Sequence, residues 1–92
     1  MSLITLAASI GKVKSGDYMS KSVTFDRDKN IIFSTIFQQD IKYHVSEVVS
    51  SRVAGTTMQE TNFVIEFKDG KKCMIAVKNS AVAEFQGLLE LR

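Results

Sequence analysis

Two of the most reactive side chains in this 92-residue chain occur once each: His44 is the only histidine and Cys73 the only cysteine. A histidine acts as a general acid or base only beside a nucleophile or a second carboxylate, and no such arrangement surrounds His44 in the sequence. Cys73, like Ile75 and Val77, is at an odd-numbered position in an alternating run. These three side chains are therefore expected on the same, buried face of a strand, which predicts a thiol used in packing. We therefore interpret His44 as a half-exposed strand residue and expect no catalytic residue and no enzyme.

The acidic residues are scattered along the chain, and their spacing matches no metal site. Asp26 and Asp28 flank Arg27 in a polar stretch, where an aspartate commonly accepts hydrogen bonds from its own turn. A calcium-binding loop needs more oxygen ligands at fixed spacing and a glutamate at its last position. The five glycines are isolated from one another, so no glycine-rich phosphate cradle is present. The sequence predicts neither a metal site nor a cofactor site.

Three lysines near the N-terminus, Lys12, Lys14 and Lys21, bracket the first predicted turn and form a candidate binding site for anions or lipids. Basic side chains on one rim attract an anionic headgroup or nucleic acid. Lysines on a strand pair also prevent sheets from associating edge to edge, and we favour this structural interpretation. Anion binding by the three lysines remains the alternative.

The overall charge is nearly balanced, because twelve Lys and Arg residues against ten Asp and Glu residues leave +2. A protein that neutralises many phosphates would carry a clustered basic face, so nucleic acid is disfavoured as a partner. The lone thiol excludes an internal disulfide. Nothing basic precedes the short apolar stretch Leu3–Ile10, as a secretory signal would require. We expect a cytoplasmic location, with membrane association only as part of a longer chain.

The composition changes along the chain from strand-forming to helix-forming residues. Valine, isoleucine, threonine and aromatic residues dominate up to residue 79, whereas alanine, glutamate and leucine dominate after it. This order predicts a mainly β (α+β) domain of about seven antiparallel strands and one C-terminal helix. A single domain over residues 1–92 is expected, because this length supports one hydrophobic core. We leave open whether residues 1–3 come from an expression vector and whether the chain is a fragment of a longer protein.

Apolar patterning predicts the individual strands. The first is expected over Leu3–Lys14, followed by a turn at Ser15–Asp17. The run Ile31–Phe37 has apolar residues at both odd and even positions, which predicts a strand that is at least partly covered on both faces. We accordingly assign three phenylalanines to the core rather than to a base-stacking platform: Phe25, Phe33 and Phe37.

The hairpin around Gly70 has the most strongly determined register. Apolar residues occupy odd positions both before the turn (63, 65, 67) and after it (73, 75, 77). Antiparallel pairing keeps both sets on one face only if the loop has an odd number of residues. The three-residue loop Lys68–Gly70 satisfies this condition, pairs Ile65 with Cys73 and gives Gly70 a positive φ. We expect Gly70→Ala to destabilise the fold by about 1 kcal/mol or more, whereas Gly16→Ala, in a less constrained loop, need not.

The final helix is predicted from an N-cap at Asn79 or Ser80 to about residue 91. Its apolar stripe, with Phe85 and Leu89, must pack on the sheet because so short a helix is marginal alone. Earlier in the chain, Ser46–Val49 is either a short helical turn or the start of a strand. The predicted core positions are Val23, Phe25, Phe33, Phe63, Ile65, Phe67, Ile75, Val77, Phe85 and Leu89.

Three segments resemble the pleckstrin-homology-like (PH-like) superfold, in particular the small bacterial PH-like domains of uncharacterised proteins. The segment VTFDRDKNIIF (23–33) looks like a hairpin of that family. IKYHVSEVVSSRV (41–53) is similar to its succession of short strand, polar turn and strand. FVIEFKDGKKCMIAV (63–77) and NSAVAEFQGLLE (79–90) look like its last hairpin and capping helix. The resemblance implies a partly open barrel with the helix plugging one end.

The resemblance also frames the expected function. Phosphoinositide-binding members use a basic cluster around the first hairpin loop that ends in an arginine; Lys12, Lys14 and Lys21 match that position roughly, without the arginine. The scaffold also serves peptide binding and self-association. Since no proline blunts a strand edge, we expect a non-catalytic interaction module. It would bind a protein partner or its own copies, as a homo-oligomer, through a strand edge or the groove beside the C-terminal helix. The alternative is an anionic membrane or lipid-headgroup binder using the three lysines.

Overall fold

A computed structural model describes residues 9–91 of the chain. The strands over this range are β1 (Gly11–Gly16), β2 (Ser22–Phe25), β3 (Asn30–Ser34), β4 (Ile41–His44), β5 (Val48–Thr56), β6 (Glu60–Phe67) and β7 (Lys72–Lys78). One 3₁₀ turn (Val45–Glu47) joins β4 to β5, and another (Asn79–Ala81) leads into the helix α1 (Val82–Leu89). All strand pairs are antiparallel, in the sheet order β4-β3-β2-β1-β7-β6-β5. The predicted fold class, mainly β with one C-terminal helix, is confirmed.

The sheet curls into a half-barrel, and α1 contributes to the core that it encloses. Nine of the ten predicted core positions are buried. Phe25, the last residue of β2, is the exception, because it is only half-buried. Its ring lies 6.4 Å from that of Phe85, so it covers the margin of the core and not its centre.

The β6–β7 hairpin adopts the register that the odd-position pattern predicts. Ile65 lies opposite Cys73 and Phe63 lies opposite Ile75. The Gly70 N–H donates to the Phe67 carbonyl at 2.9 Å, and Gly70 has a φ of +90°. The three-residue loop with a left-handed glycine is therefore confirmed.

Strand β1 extends further than predicted, and this changes the role of Gly16. The strand ends at Gly16 and the turn follows at 17–20, while residues 3–8 of the predicted first strand lie outside the described residues. Gly16 has a φ of +87°, and a Cβ added there would lie 2.5 Å from the Lys72 carbonyl oxygen. The prediction that Gly16 lies in a less constrained loop is wrong, because the backbone of β7 lies directly against this glycine.

Strand β3 is shorter than the apolar run that predicted it. Phe33 is the last residue of β3 that pairs with β4, where it lies opposite Ile41. Beyond this pair the chain turns, and Ile36 and Phe37 are 77% and 102% exposed. The assignment of Phe37 to the core is therefore wrong, because it falls after the ladder to β4 has ended, whereas Phe33 is fully buried as predicted.

The C-terminal helix is shorter than predicted and is not capped as predicted: a 3₁₀ turn occupies Asn79–Ala81, and α1 spans Val82–Leu89 where the prediction ran to about residue 91. The Asn79 side chain donates to the Thr57 carbonyl at 3.0 Å and accepts from the Thr61 hydroxyl at 2.8 Å. Neither the 3₁₀ turn nor α1 has a side-chain hydrogen bond at its N-cap. The predicted cap at Asn79 or Ser80 is wrong, because Asn79 fastens the β5–β6 connection instead.

Candidate functional site

Two of the three predicted anion-binding lysines lie on the outer face of the sheet. Lys12 and Lys14 alternate with Val13, which is buried in the core, so both side chains point away from it. The Lys14 ammonium lies 3.5 Å from a carboxylate oxygen of Glu60, at the start of β6. Lys14 thus extends over the sheet toward β6.

The third lysine reaches in the other direction. The Lys21 ammonium donates to Thr35 Oγ1 and to Gln38 Oε1, both at 2.8 Å, in the turn between β3 and β4. Because β1 lies between β2 and β7 in the sheet, Lys14 and Lys21 extend to opposite sides of this strand. The structure therefore does not bring their ammonium groups together, and anion binding by the three lysines stays a prediction.

His44 has a structural partner set at the end of β4. Its Nδ1 accepts from the Ser46 N–H at 3.2 Å, and the His44 N–H donates to a carboxylate oxygen of Glu47 at 2.9 Å. This reciprocal pair is a capping box for the 3₁₀ turn. The exposed imidazole thus orders the turn that leads into β5.

The thiol of Cys73 is buried, with 3% of the residue exposed, as predicted. Burial, together with the negative charge of Asp17, raises the pKa of the Cys73 thiol to about 12. The thiol therefore stays protonated at neutral pH, whereas nucleophilic attack and metal ligation require the thiolate.

Asp26 organises the turn between β2 and β3. One carboxylate oxygen accepts the backbone N–H of Asp28 at 2.9 Å and that of Asn30 at 3.0 Å. Burial acts in the opposite direction, but these hydrogen bonds hold the pKa of the Asp26 carboxyl below its ordinary value. Across residues 9–91, no three His, Cys, Asp or Glu side chains are grouped so as to hold a metal ion.

A polar network joins strand β4 to the β1–β2 turn and the β6–β7 turn, and sequence reasoning missed it. The Tyr43 hydroxyl donates to Asp69 Oδ2 at 2.6 Å and also contacts the Tyr18 hydroxyl. Burial and both hydrogen bonds raise the pKa of Tyr43, and the bond from Tyr43 lowers that of Asp69. The partners lie 25 and 26 residues from Tyr43 in the chain, a separation that carries no local signal.

Strand β5 forms one edge of the sheet and is unusually exposed along its length. It has nine residues, of which only Val48 is buried, and two of its valines, Val49 and Val53, are 54% and 46% exposed. Register shifts place bulges at Val49 and Ala54 in its pairing with β6. An edge strand presents backbone N–H and C=O groups that can pair with another chain.

A groove of about 420 Å³ lies between β5 and α1. Its floor contains Phe63 and Leu89, which are 2% and 5% exposed, and Val53 lies on its wall. The remaining lining residues are polar: Ser51, Arg52, Gln86 and Glu90. An apolar floor with a polar rim is typical of sites that accept side chains of a ligand or partner.

Sequence reasoning named a strand edge and a groove beside the helix as binding surfaces, but none of these lining residues. The available signal is in VVSSRVAGT (48–56), which lacks the apolar alternation of the other long strands. A strand without a consistently apolar face fits an edge better than the centre of a sheet.

Comparison with protein-family models gives no match, and neither does comparison with curated proteins. Membership of the PH-like superfold therefore stays a prediction from the resemblance of the three segments. Between residues 9 and 91, no helix is both long enough and apolar enough to cross a lipid bilayer.

Proposed function

We propose that this chain is a non-catalytic interaction module that binds an extended segment of a protein partner, or of its own copies. The binding surface is the exposed edge of β5 together with the groove beside α1. One observation carries the proposal: a nine-residue edge strand adjoins a groove of about 420 Å³ whose floor is apolar.

Backbone pairing supplies the affinity in this mode of recognition. An incoming strand adds to the sheet edge through main-chain hydrogen bonds, and alternate side chains enter adjacent pockets. At about 3.3 Å per residue, a strand along the whole of β5 would span about 30 Å. The side chains directed toward α1 would lie over Phe63 and Leu89, which favours apolar residues at those positions.

The composition of β5 supports this function. Proteins commonly protect sheet edges with charged residues, prolines or very short strands. The chain contains no proline, and Arg52 is the one charged residue in β5. The two bulges interrupt the edge only near its ends, so the segment Ser50–Val53 keeps a regular register with β6.

The test is selection of binding peptides from a random displayed library, followed by mapping of a selected peptide on the labelled protein by NMR. We expect amide shifts concentrated in Ser50–Val53 and in Gln86–Glu90. Val53→Lys should abolish binding, because it places a charge over the groove floor. Met58→Lys is the matched control, since Met58 is 98% exposed on the loop that follows β5 and does not line the groove. Shifts confined to another surface, or equal effects of the two substitutions, would contradict the proposal.

A further inference from the structure

The turn between β3 and β4 carries the most exposed large apolar side chain among residues 9–91. Phe37 is 102% exposed, and its neighbour Ile36 is 77% exposed. Phe37 also has a φ of +68°, a conformation that bulky residues rarely adopt. The Gln38 N–H donates to the Thr35 carbonyl at 3.3 Å and closes the turn.

Folding alone does not account for this turn. A positive φ at the third position of a turn is normally taken by glycine or asparagine, and exposure of a phenyl ring to water is unfavourable. Phe37 combines both disadvantages. Backbone strain of this kind is found more often at functional sites, where the strained conformation contributes to the interaction with a ligand or partner.

The turn is held in place by a neighbouring side chain. The Lys21 ammonium donates to Thr35 Oγ1 and Gln38 Oε1, both at 2.8 Å, and so bridges the first and last residues of the turn. Ile36 and Phe37 therefore project from a braced loop. Such pre-organisation reduces the entropy lost when a projecting side chain binds.

The groove between β5 and α1 has the size and lining that such a projection requires. A cavity of about 150 Å³ lined by apolar residues accommodates a benzene ring. The groove, at about 420 Å³ with Phe63 and Leu89 in its floor, has room for the Phe37 ring and the Ile36 side chain together.

Charge does not oppose this pairing. Asp40 and Lys42 follow the turn, and both are exposed. Arg52 and Glu90 lie on the rim of the groove. With the Lys21 ammonium, the turn surface has two basic groups and one acidic group, whereas the rim of the groove has one of each. The groove rim has no net charge, so it does not repel the turn.

We propose that Ile36 and Phe37 of one copy of this chain insert into the groove between β5 and α1 of a second copy. The inference rests on the proposed function, because it names an occupant of the groove described there. Two different surfaces meet, so the contact is head-to-tail and leaves each pair with a free turn and a free groove. Assembly thus continues to a closed ring or an open chain. Two side chains of one copy enter each groove, so we expect a weak contact that is populated only at high protein concentration.

The test is sedimentation velocity from micromolar to millimolar protein. The two test variants are Phe37→Ser, which removes the projecting ring, and Val53→Lys, which blocks the groove. Met58→Ser and Met58→Lys are their matched controls, because Met58 is 98% exposed on another loop and lies outside the groove. We expect the average mass of the wild type and both controls to rise with concentration, while each test variant stays at the mass of one chain.

A mixture of the two test variants distinguishes a head-to-tail contact from pairing of two identical edges. The Phe37→Ser chain keeps its groove and the Val53→Lys chain keeps its turn, so an equimolar mixture should form a complex of two chains and nothing larger. A mixture that remains monomeric, or a Phe37→Ser chain that assembles like the wild type, would overturn the inference. Circular dichroism of each variant confirms that it is folded.

A monomeric wild type at millimolar concentration would also overturn the inference. If that monomer still binds selected peptides along β5, the proposed function stands, and if it binds none, both fail. Flotation with phosphatidylcholine–phosphatidylserine vesicles adds a further outcome. Binding of monomeric protein that is lost in Phe37→Ser would assign the turn to a lipid surface instead.

Discussion

Replacing Gly16 by alanine is expected to destabilise the fold more than replacing Gly70, although the two glycines have nearly the same φ. The angles are +87° and +90°, and a residue with a Cβ pays about 1–2 kcal/mol in this region. At Gly70 an added Cβ meets no other atom within 4 Å. The conformational term is therefore the whole expected loss for Gly70→Ala, about 1 kcal/mol.

At Gly16 a steric term is added to the conformational one. A Cβ there would lie 2.5 Å from the Lys72 carbonyl oxygen and 3.0 Å from the Cys73 Cα, and these are backbone atoms of β7. Relief requires β1 and β7 to separate, which weakens two hydrogen bonds between Asp17 and Lys72, each 2.9 Å long. Each is worth about 1 kcal/mol, so we expect a total loss of about 3 kcal/mol for Gly16→Ala.

Urea and thermal unfolding, followed by far-ultraviolet circular dichroism, measure these losses. For a domain of this size, a loss of 1 kcal/mol lowers Tm by about 4–8 °C, and the shift for Gly16→Ala should be about three times that for Gly70→Ala. Gly55→Ala is the control, because an added Cβ meets nothing within 4 Å and the backbone is not left-handed. Equal losses at Gly16 and Gly70 would refute the reasoning, since they would show that β7 moves away from the added Cβ without any loss of stability.

Three further outcomes are expected. Phe85→Ala should lower the free energy of unfolding by about 3–5 kcal/mol, because Phe85 is fully buried; a loss below about 1 kcal/mol in urea unfolding would show that α1 does not close the core. Tyr43→Phe removes the hydrogen bond that lowers the pKa of Asp69. In the wild type the ionised Asp69 carboxylate stabilises the fold above its unfolded pKa of about 3.9. This stabilisation is lost as the pH falls through the lower, folded-state pKa. The Tm of Tyr43→Phe should therefore fall less on acidification than the Tm of the wild type. Cys73, with its raised pKa and burial, should react with iodoacetamide at pH 8 only in unfolding concentrations of urea; rapid alkylation of the native protein would contradict its placement.

The β6–β7 hairpin could be predicted from the sequence because both its determinants are local. The parity of apolar residues on either side of the turn requires an odd loop length. Within the Asp69–Gly70 region, glycine is the residue that adopts a positive φ without a Cβ penalty. The register and the conformation of Gly70 were therefore predictable, and no other part of the fold was needed to derive them.

Gly16 and Phe37 could not be placed by the same reasoning, because each depends on a distant strand. Gly16 is constrained by β7, whose residues follow it by more than fifty positions. The exposure of Phe37 depends on where pairing between β3 and β4 ends, at Phe33 and Ile41. An apolar run indicates which residues favour burial, whereas the partner strand determines how many of them enter the ladder.

The candidate site was hard to locate in the sequence for the same physical reason that makes it a candidate. A strand in the middle of a sheet packs one face consistently against the core, which produces the alternation seen in ETNFVIEF (60–67). Among residues 9–91, strand β5 pairs with β6 alone and has one buried residue, so its sequence lacks that alternation. Its exposed valines are thus not explained by the core of this chain. A partner that covered the edge would give these valines an apolar environment, which is what the proposed function requires.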